Sequence, residues 1–386
     1  MTPAARYQAA IDILDHWLSG DVALEQALTG WARRSRFAGS KDRAAVRDIV
    51  FDAARRRRSD AALGGAKTGR GLILGALRRQ QIDPQTVFGA GGHAPSALTA
   101  QEQRAPNPPA SGPEALDVPD WLWPRWQRSL ADRAESVARA WQTRAPVHLR
   151  VNMTRGTREV AREALCDEGI TTEPHPACDW ALTVTDGARK LRNSHAYKSG
   201  AVELQDAASQ ALVAAIPGVA GARVLDYCAG GGGKSLALAM MDPLRIVAHD
   251  ADPRRMRDLP DRAARAGATV DLAATIDLPK LGPFDIILCD VPCSGSGSWR
   301  RAPDGKWRLN EERLVQLTQL QSDILHKASA LLRPEGLLVY ATCSVLRDEN
   351  HDVVDVLPGH TVTWCKNWVA DDDTDGFFTA HLHSVA

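Results

Sequence analysis

The chain has 386 residues, more than one hydrophobic core commonly serves, so two or three domains are expected. Hydrophobic residues make up 44% and charged residues 24%, with Lys+Arg and Asp+Glu equal at 47, which excludes a partner selected by overall charge. The seven cysteines, an odd number at irregular spacing, exclude a disulfide framework and complete no Cys/His zinc set.

The opening Met1-Thr2-Pro3-Ala4-Ala5-Arg6 has no apolar signal-peptide core, and no run downstream approaches membrane-spanning length. A cytoplasmic protein with reduced thiols is expected. Residues 4–80 read as helices. Ala10, Ile13, Leu14 and Trp17 share one face of the first, which Gly20-Asp21 breaks. Val46, Ile49, Val50 and Ala53 repeat that spacing before Arg55-Arg56-Arg57-Arg58. Residues 1–80 hold fifteen Lys/Arg against eight Asp/Glu, whereas 341–386 hold two against eight. The basic front end predicts a helical domain over 1–88 that holds a polyanion; a solvated helix face is the plainer alternative.

Gly89, Gly91, Gly92, Pro95, Pro106, Pro108, Pro109 and Pro113 predict a flexible linker over 89–118. Trp121, Trp123 and Trp126 follow in one short helical stretch, where core packing outranks base stacking. Residues 119–200 predict a small α/β module: strand over 146–152, helix over 157–169 closed by glycine, strand over 181–184. From 201 onward, strands alternate with helices, the pattern of a parallel sheet. The expected strands cover 223–228, 245–250, 269–274, 284–290 and 337–342. Asn310, with Glu311 and Glu312 after it, predicts the N-terminus of a helix whose apolar face carries Leu314, Leu317, Ile324, Leu325 and Leu331.

Three stretches carry chemistry. In Val224-Leu225-Asp226-Tyr227-Cys228-Ala229-Gly230-Gly231-Gly232-Gly233-Lys234-Ser235 a strand runs into a glycine loop and a helix start, so the backbone can approach a ligand. It fails the P-loop spacing, whose first glycine would be Cys228, and the dinucleotide fingerprint, whose last glycine would be Ser235 or Leu236. Asp250 ends the next strand, placed to accept both hydroxyls of a ribose. The apolar run 285–289 delivers Asp290 and then Val291-Pro292-Cys293 to a sharp turn, and 336–344 ends in Thr342-Cys343-Ser344. Ligands of open α/β sheets bind at carboxyl ends of strands, so two thiols delivered there suggest covalent chemistry. Buried core cysteines are the bland alternative.

These residues resemble the RsmB/Nop2/Sun family of S-adenosylmethionine-dependent RNA cytosine-C5 methyltransferases over roughly 119–386. The resemblance rests on Asp226 to Lys234, Asp290-Val-Pro-Cys293-Ser-Gly-Ser-Gly297, Arg301-Ala-Pro303-Asp304, Thr342-Cys343-Ser344 with Glu349-Asn350, Leu204-Gln205-Asp206 with Ser209-Gln210, and Asp375-Gly376-Phe377-Phe378. The N-terminal helices resemble the family's NusB-like RNA-binding domain. The resemblance implies an α/β chain: a Rossmann-like class I methyltransferase sheet over 201–386, a small α/β RNA-binding module over 119–200, and an all-helical domain in front. It implies S-adenosylmethionine as cofactor, held by Cys228, Ala229, Gly230, Gly231, Gly232, Lys234, Asp250, Arg255, Asp277 and Asp290. A loop aspartate at 277 and a surface arginine at 255 are equally plain readings. Cys343 is implied as the nucleophile on C6 of cytosine, Cys293 as the thiol that assists release, Asp290 as the partner of the base edge, and Lys234 as a charge favouring the thiolate. The implied partner is RNA, with ribosomal RNA foremost, and a monomeric enzyme with no membrane and no metal is expected. The family's loop has Ala-Pro where this chain has Gly230-Gly231, which predicts a looser cofactor loop. Two other readings stand beside this one. An amino-group methyltransferase would use the same strand end but needs no thiol. A catalytically idle RNA-binding factor would keep the fold without needing both cysteines.

Overall fold

The computed structural model describes residues 1–104, 106–241 and 245–385. They form two compact units: Met1–Arg144 with Trp299–Leu309, and Ala145–Ser298 with Asn310–Ala386.

The first unit is helical. Helices Pro3–Leu18, Leu24–Arg34, Ser40–Arg55, Arg57–Gly64 and Gly69–Arg79 enclose Leu14, Trp17, Leu24, Val46, Val50, Phe51, Leu72 and Ile73. Thr2 and Thr68 cap the first and last through side-chain oxygens, each worth ~1 kcal/mol. The Gly/Pro-rich stretch expected as a flexible linker is instead tied down. Arg70 pairs with Glu102 at 2.7 Å and donates to the Ser96 and Ala97 carbonyls, and Arg78 donates to the Glu102 and Arg104 carbonyls. Buried Phe88, Leu116 and Val118 anchor its ends. Two fixed guanidiniums supply the ordering that proline and glycine do not.

Helices Trp123–Leu130 and Ala134–Trp141 also belong to this unit, and the compact unit that holds the two sheets begins at Ala145. Trp126 packs on Trp141 with ring centroids 3.9 Å apart, and Trp141 on Trp299 at 4.9 Å. Trp126 is therefore core, whereas Trp121 and Trp123 are half-buried. The segment Trp299–Leu309 is an excursion of the catalytic half of the sequence into this helical unit. Trp17 Nε1 donates to Asp304 at 2.6 Å, and Trp307 Nε1 to the Ala54 carbonyl at 2.7 Å.

Partners within this unit consume most of the expected basic patch. Arg55 is buried and donates to the Arg300 carbonyl at 2.7 Å. Arg56 reaches Gln142 at 3.3 Å, and Arg58 pairs with Asp120 at 2.8 Å. Burial lowers the Arg55 guanidinium to about 10. Arg57 lies between the Trp17 and Trp307 rings, 5.4 and 5.3 Å from their centroids. Four consecutive arginines cannot share one helix face, and three of these four are fixed on protein partners. Arg57 borders an open cavity of about 650 Å³ with Lys67, Trp121 and Trp307.

The second unit holds two sheets. The smaller is antiparallel, in the order β2-β3-β1-β4: β1 Val147–Val151, β2 Thr171–Pro174, β3 Ala181–Asp186 and β4 Val202–Leu204. Helix Arg158–Asp167, capped by Thr157, buries Ala161 and Leu165 against it.

The larger sheet contains β5 Arg223–Asp226, β6 Arg245–Ala248, β7 Asp271–Leu272, β8 Phe284–Asp290, β9 Leu332–Thr342, β10 His360–Trp368 and β11 Phe377–Ser384. Its order is β10-β11-β9-β8-β5-β6-β7, parallel except that β11 runs against both neighbours. This is the class I methyltransferase sheet. Ile286, Ile287, Leu288 and Cys289 of β8 are all buried, as a strand covered on both faces requires. Helix Glu311–Ser329, capped by Asn310 accepting from the Arg313 amide at 2.8 Å, buries Leu314, Leu317, Gln321 and Leu325. Strand order reverses at β5, between β6 and β8, and in open α/β sheets the crevice at such a reversal is where ligands bind.

Candidate active site

Register brings the chemistry-bearing residues to that crevice. Asp226 at the end of β5 lies opposite Leu288 of β8, and Asp290 at the end of β8 lies opposite Ala341 of β9. Cys293 and Cys343 follow these adjacent strand ends, three residues past β8 and one past β9, and their sulfurs stand 3.4 Å apart in an S–H···S contact. Gly297 holds the turn after Cys293 against neighbouring backbone. Its N–H donates to the Cys343 carbonyl at 2.9 Å, and a Cβ there would sit 1.9 Å from the Gly376 oxygen. The Cys293 thiol is held well above its ordinary pKa by its bond to Cys343, by burial, and by the nearby Glu349 charge. The Cys293 thiol therefore keeps its proton, with the Cys343 sulfur 3.4 Å away.

Lys234 and Asp290 form a contact ion pair, Nζ to Oδ2 at 2.6 Å. Burial pulls the ammonium down, but the Asp290 charge and hydrogen bond outweigh it and the Lys234 pKa ends raised; the Cys343 sulfur adds in the same direction. The lysine thus remains a cation beside both Asp290 and Cys343. Asp226 is fully buried and accepts from Ser235 Oγ at 2.6 Å. Burial raises its pKa to about 7, against the Ser235 bond and with help from the Asp290 charge.

The glycine loop makes a cradle. Gly230 and Gly232 have φ of +53° and +76°, and a Cβ on Gly232 would lie 2.1 Å from Leu259. The Gly230 N–H donates to Asp250 Oδ2 at 3.0 Å, the Asp252 N–H to Oδ1 at 3.0 Å, and Arg255 pairs with Oδ2 at 3.0 Å. The Asp250 side chain is only 4% exposed. The Ala229 N–H donates to the His249 carbonyl at 2.8 Å, and Cys228 sits half-buried at the strand end, its thiol pushed up by burial and by Asp226. Gly231, expected to loosen the loop, is braced: Arg262 donates to its carbonyl. The cradle, its positive-φ glycines and the buried carboxylate at the next strand end fit a nucleoside cofactor with a ribose on Asp250 and backbone close behind it. Asp277 is exposed in a short turn past β7, at the same sheet edge, with no side-chain bond tying it to the loop among the described residues.

Several residues of the site escaped the sequence reading. Buried His249 bridges the Tyr227 carbonyl at 2.7 Å and Thr275 Oγ1 at 2.8 Å, joining the ends of β5 and β6 to the turn after β7. Arg150 of β1, lowered to about 10 by burial, donates to Gln205 at 2.5 Å and to the Gly233 carbonyl at 2.6 Å. The small sheet thereby holds the start of the loop helix. His148, His175 and Asp373 gather with ligand atoms within 4.8 Å of one another. His175 Nδ1 accepts the Ala177 N–H at 3.1 Å, and His148 Nδ1 lies 3.0 Å from Asp206 Oδ2 and accepts the Ala207 N–H at 3.3 Å.

Comparison with known proteins agrees with this geometry. Residues 215–367 match the family described as 16S rRNA methyltransferase RsmB/F, and residues 118–189 match the ferredoxin-like domain of RsmF/B-like methyltransferases. The latter match includes helices that pack here with the first unit. Ribosomal RNA small subunit methyltransferase B of Citrobacter koseri is 34% identical over 68% of this chain and 66% of its own length. The protein of that name from Salmonella paratyphi B is 31% identical over 81% of this chain and 73% of its own length. In fold, a methyltransferase homologue from Pyrococcus horikoshii superposes with a TM-score of 0.60 at 24% identity, covering 70% of this chain and 96% of that one. NSun6 from the same organism, solved with SFG, gives 0.62 at 17%, covering 70% and 99%. No helix among the described residues is long and apolar enough to cross a membrane. By sequence match and by the architecture of its site, this chain belongs to the RsmB/F family of methyltransferases, which use S-adenosylmethionine.

Proposed function

We propose that the protein methylates C5 of a cytosine in ribosomal RNA, through a covalent bond between Cys343 and C6 of the base. The observation that carries this reading is the pair of thiols 3.4 Å apart beside the Lys234–Asp290 ion pair. C5 of cytosine is a poor nucleophile; a thiolate added at C6 makes it an enamine-like one, splitting one hard step into easier ones. S-adenosylmethionine, when bound, supplies the methyl group as an electrophile. Gly230, Gly232 and Asp250 hold it, and Lys234 helps to balance the charge on Cys343.

Each side chain has a task consistent with its surroundings. Cys343 attacks C6 with the Cys293 sulfur 3.4 Å away and the Lys234 ammonium nearby. Asp290 has one oxygen bound to Lys234, and its side chain is 30% exposed, so the second oxygen can take the N3/N4 edge of the base. After methyl transfer the C5 proton passes to solvent water, the C5–H electron pair restores the C5–C6 double bond, and the Cys343–C6 bond breaks with its pair leaving on the Cys343 sulfur. The Cys293 S–H then donates to the departing Cys343 thiolate, which is how it assists release. A group with no thiol chemistry to perform, such as an amino-group methyltransferase, gives no reason for this sulfur pair.

The helical unit is read as an RNA-holding domain, and the small α/β module as a second one. In the helical unit, Lys67, Arg57, Trp121 and Trp307 around the open cavity combine cations with ring faces, the composition that suits single-stranded RNA. The test of the activity is transfer of labelled methyl from S-adenosylmethionine into small-subunit RNA, followed by bisulfite mapping. A single protected cytosine that appears only with active enzyme is expected. Label on an exocyclic nitrogen, or none in RNA, overturns the reading.

A further inference from the structure

Glu349 is fully buried, and no lysine or arginine pairs with it among the described residues. Such a charge is costly to keep in a core. Its two oxygens are spent on the loops that carry the thiols. Oε1 accepts the Ser294 N–H at 2.7 Å and Gln321 Nε2 at 3.0 Å. Oε2 accepts the hydroxyls of Ser294 and Ser344, both at 2.5 Å. Ser294 directly follows Cys293, and Ser344 directly follows Cys343. One carboxylate therefore holds the residue next to each sulfur.

The clamp is itself anchored. Gln321, a polar residue on the buried face of helix Glu311–Ser329, also donates to the Pro292 carbonyl at 2.9 Å. Tyr340 donates to the Glu349 carbonyl at 2.6 Å. Asn350, next in sequence, accepts from Thr342 Oγ1 at 2.6 Å and donates to the Ser344 carbonyl at 3.0 Å. The loop Arg347–Asn350 is thus built to read the position of both strand ends at once.

We infer that Glu349 is the positioning residue of the thiol pair, fixing the Cys343 sulfur for attack on C6 and Cys293 beside it, without touching RNA or cofactor. This rests on the covalent reading above. Reactivity of the pair depends on sulfurs set to within a fraction of an ångström, and a misplacement of 1 Å can cost on the order of a hundredfold in rate.

The test compares Glu349→Ala with Glu349→Gln in the full-length protein. Gln keeps one carbonyl oxygen for the Ser294 amide, and the two serine hydroxyls can turn to accept from its amide nitrogen, so the clamp survives without its charge. Glu349→Ala should lower kcat by about a hundredfold, with KM for RNA and affinity for S-adenosylhomocysteine near wild type. Glu349→Gln should stay within about tenfold of wild type. Placed in a Cys293→Ala background, Glu349→Ala should also abolish the covalent RNA adduct that Cys293→Ala is expected to trap. If Glu349→Ala does not fold, the Ser294→Ala/Ser344→Ala pair removes both hydroxyl bonds to the same carboxylate and should show the same fall in kcat. Wild-type kcat in folded Glu349→Ala overturns the inference. So does a loss seen only as a raised KM for RNA, or a Gln variant as damaged as the Ala variant. Failure of the covalent reading would appear separately, as full turnover by Cys343→Ala.

Discussion

Replacing Asp250 with alanine should weaken cofactor binding by an amount that its surroundings set. An ionised carboxylate offers about four acceptor directions. The Gly230 and Asp252 amides and Arg255 take three of them, each at 3.0 Å. One remains for a ribose hydroxyl, and a second is freed if Arg255, 55% exposed, turns outward. One hydrogen bond to a charged group is worth ~1.5–3 kcal/mol, or about 10–150-fold in Kd. Asp250→Ala also leaves the Gly230 amide without its acceptor, so the cradle loosens and the loss should fall toward the upper end. Titration calorimetry with S-adenosylhomocysteine measures it, with thermal unfolding run alongside to establish that the variant is folded. Unchanged affinity in a folded Asp250→Ala would refute the placement of the ribose.

Asp226→Asn should change how stability varies with pH. The folded-state pKa of Asp226 is raised from 3.8 to about 7, so the folded protein binds the extra proton and stability falls as pH rises from about 4 to 7. That gap corresponds to at most ~4 kcal/mol. The difference between wild type and Asp226→Asn, followed by denaturant unfolding from pH 4 to 8, should therefore shift toward the variant as pH rises, and a pH-independent difference contradicts it. Lys67→Ala should weaken RNA binding and reduce the salt dependence of log K by about one phosphate contact; an unchanged slope removes the cavity rim from the RNA path. This substitution is preferable to deleting residues 1–88, because Trp299–Leu309 packs into the helical unit and a deletion would strand Trp307 and Lys306.

The strands that carry the site were legible because each reports itself twice, as an apolar run and as a chemical residue at its carboxyl end. β8 was expected over 284–290 and is found there. The short β5 and β6 end two residues earlier than expected, at Asp226 and Ala248, because the chain turns at once into the loops that use those ends. β10 and β11 were not foreseen: β10 is largely exposed at the sheet edge, where polar residues blunt the alternation. Nor could sequence order show that 299–309 leaves its sheet to complete a helical core, since that contact joins residues some 250–290 positions apart. The arginine run misled for a related reason. Its charge was visible, but the Arg300 carbonyl that holds Arg55 and one of the two rings flanking Arg57 lie in that distant segment. Gln321 was detectable in principle, as a polar residue at the 314, 317, 321, 325 spacing of an apolar stripe. Glu349 stood in a recognisable sequence pattern, yet its purpose appears only when both cysteine loops are seen to meet on it.

The most direct test of the covalent reading separates the two thiols by what each variant leaves attached to RNA. Cys343→Ala and Cys293→Ala would be incubated with small-subunit RNA and labelled S-adenosylmethionine, then resolved by denaturing electrophoresis. Cys343→Ala should transfer no methyl and retain no RNA, because nothing attacks C6. Cys293→Ala should attack and transfer the methyl but fail to release, leaving labelled RNA bound to protein, and the double variant should show no adduct. RNA trapped by Cys343→Ala would exchange the two roles, and full turnover by both single variants without any adduct would contradict the covalent mechanism.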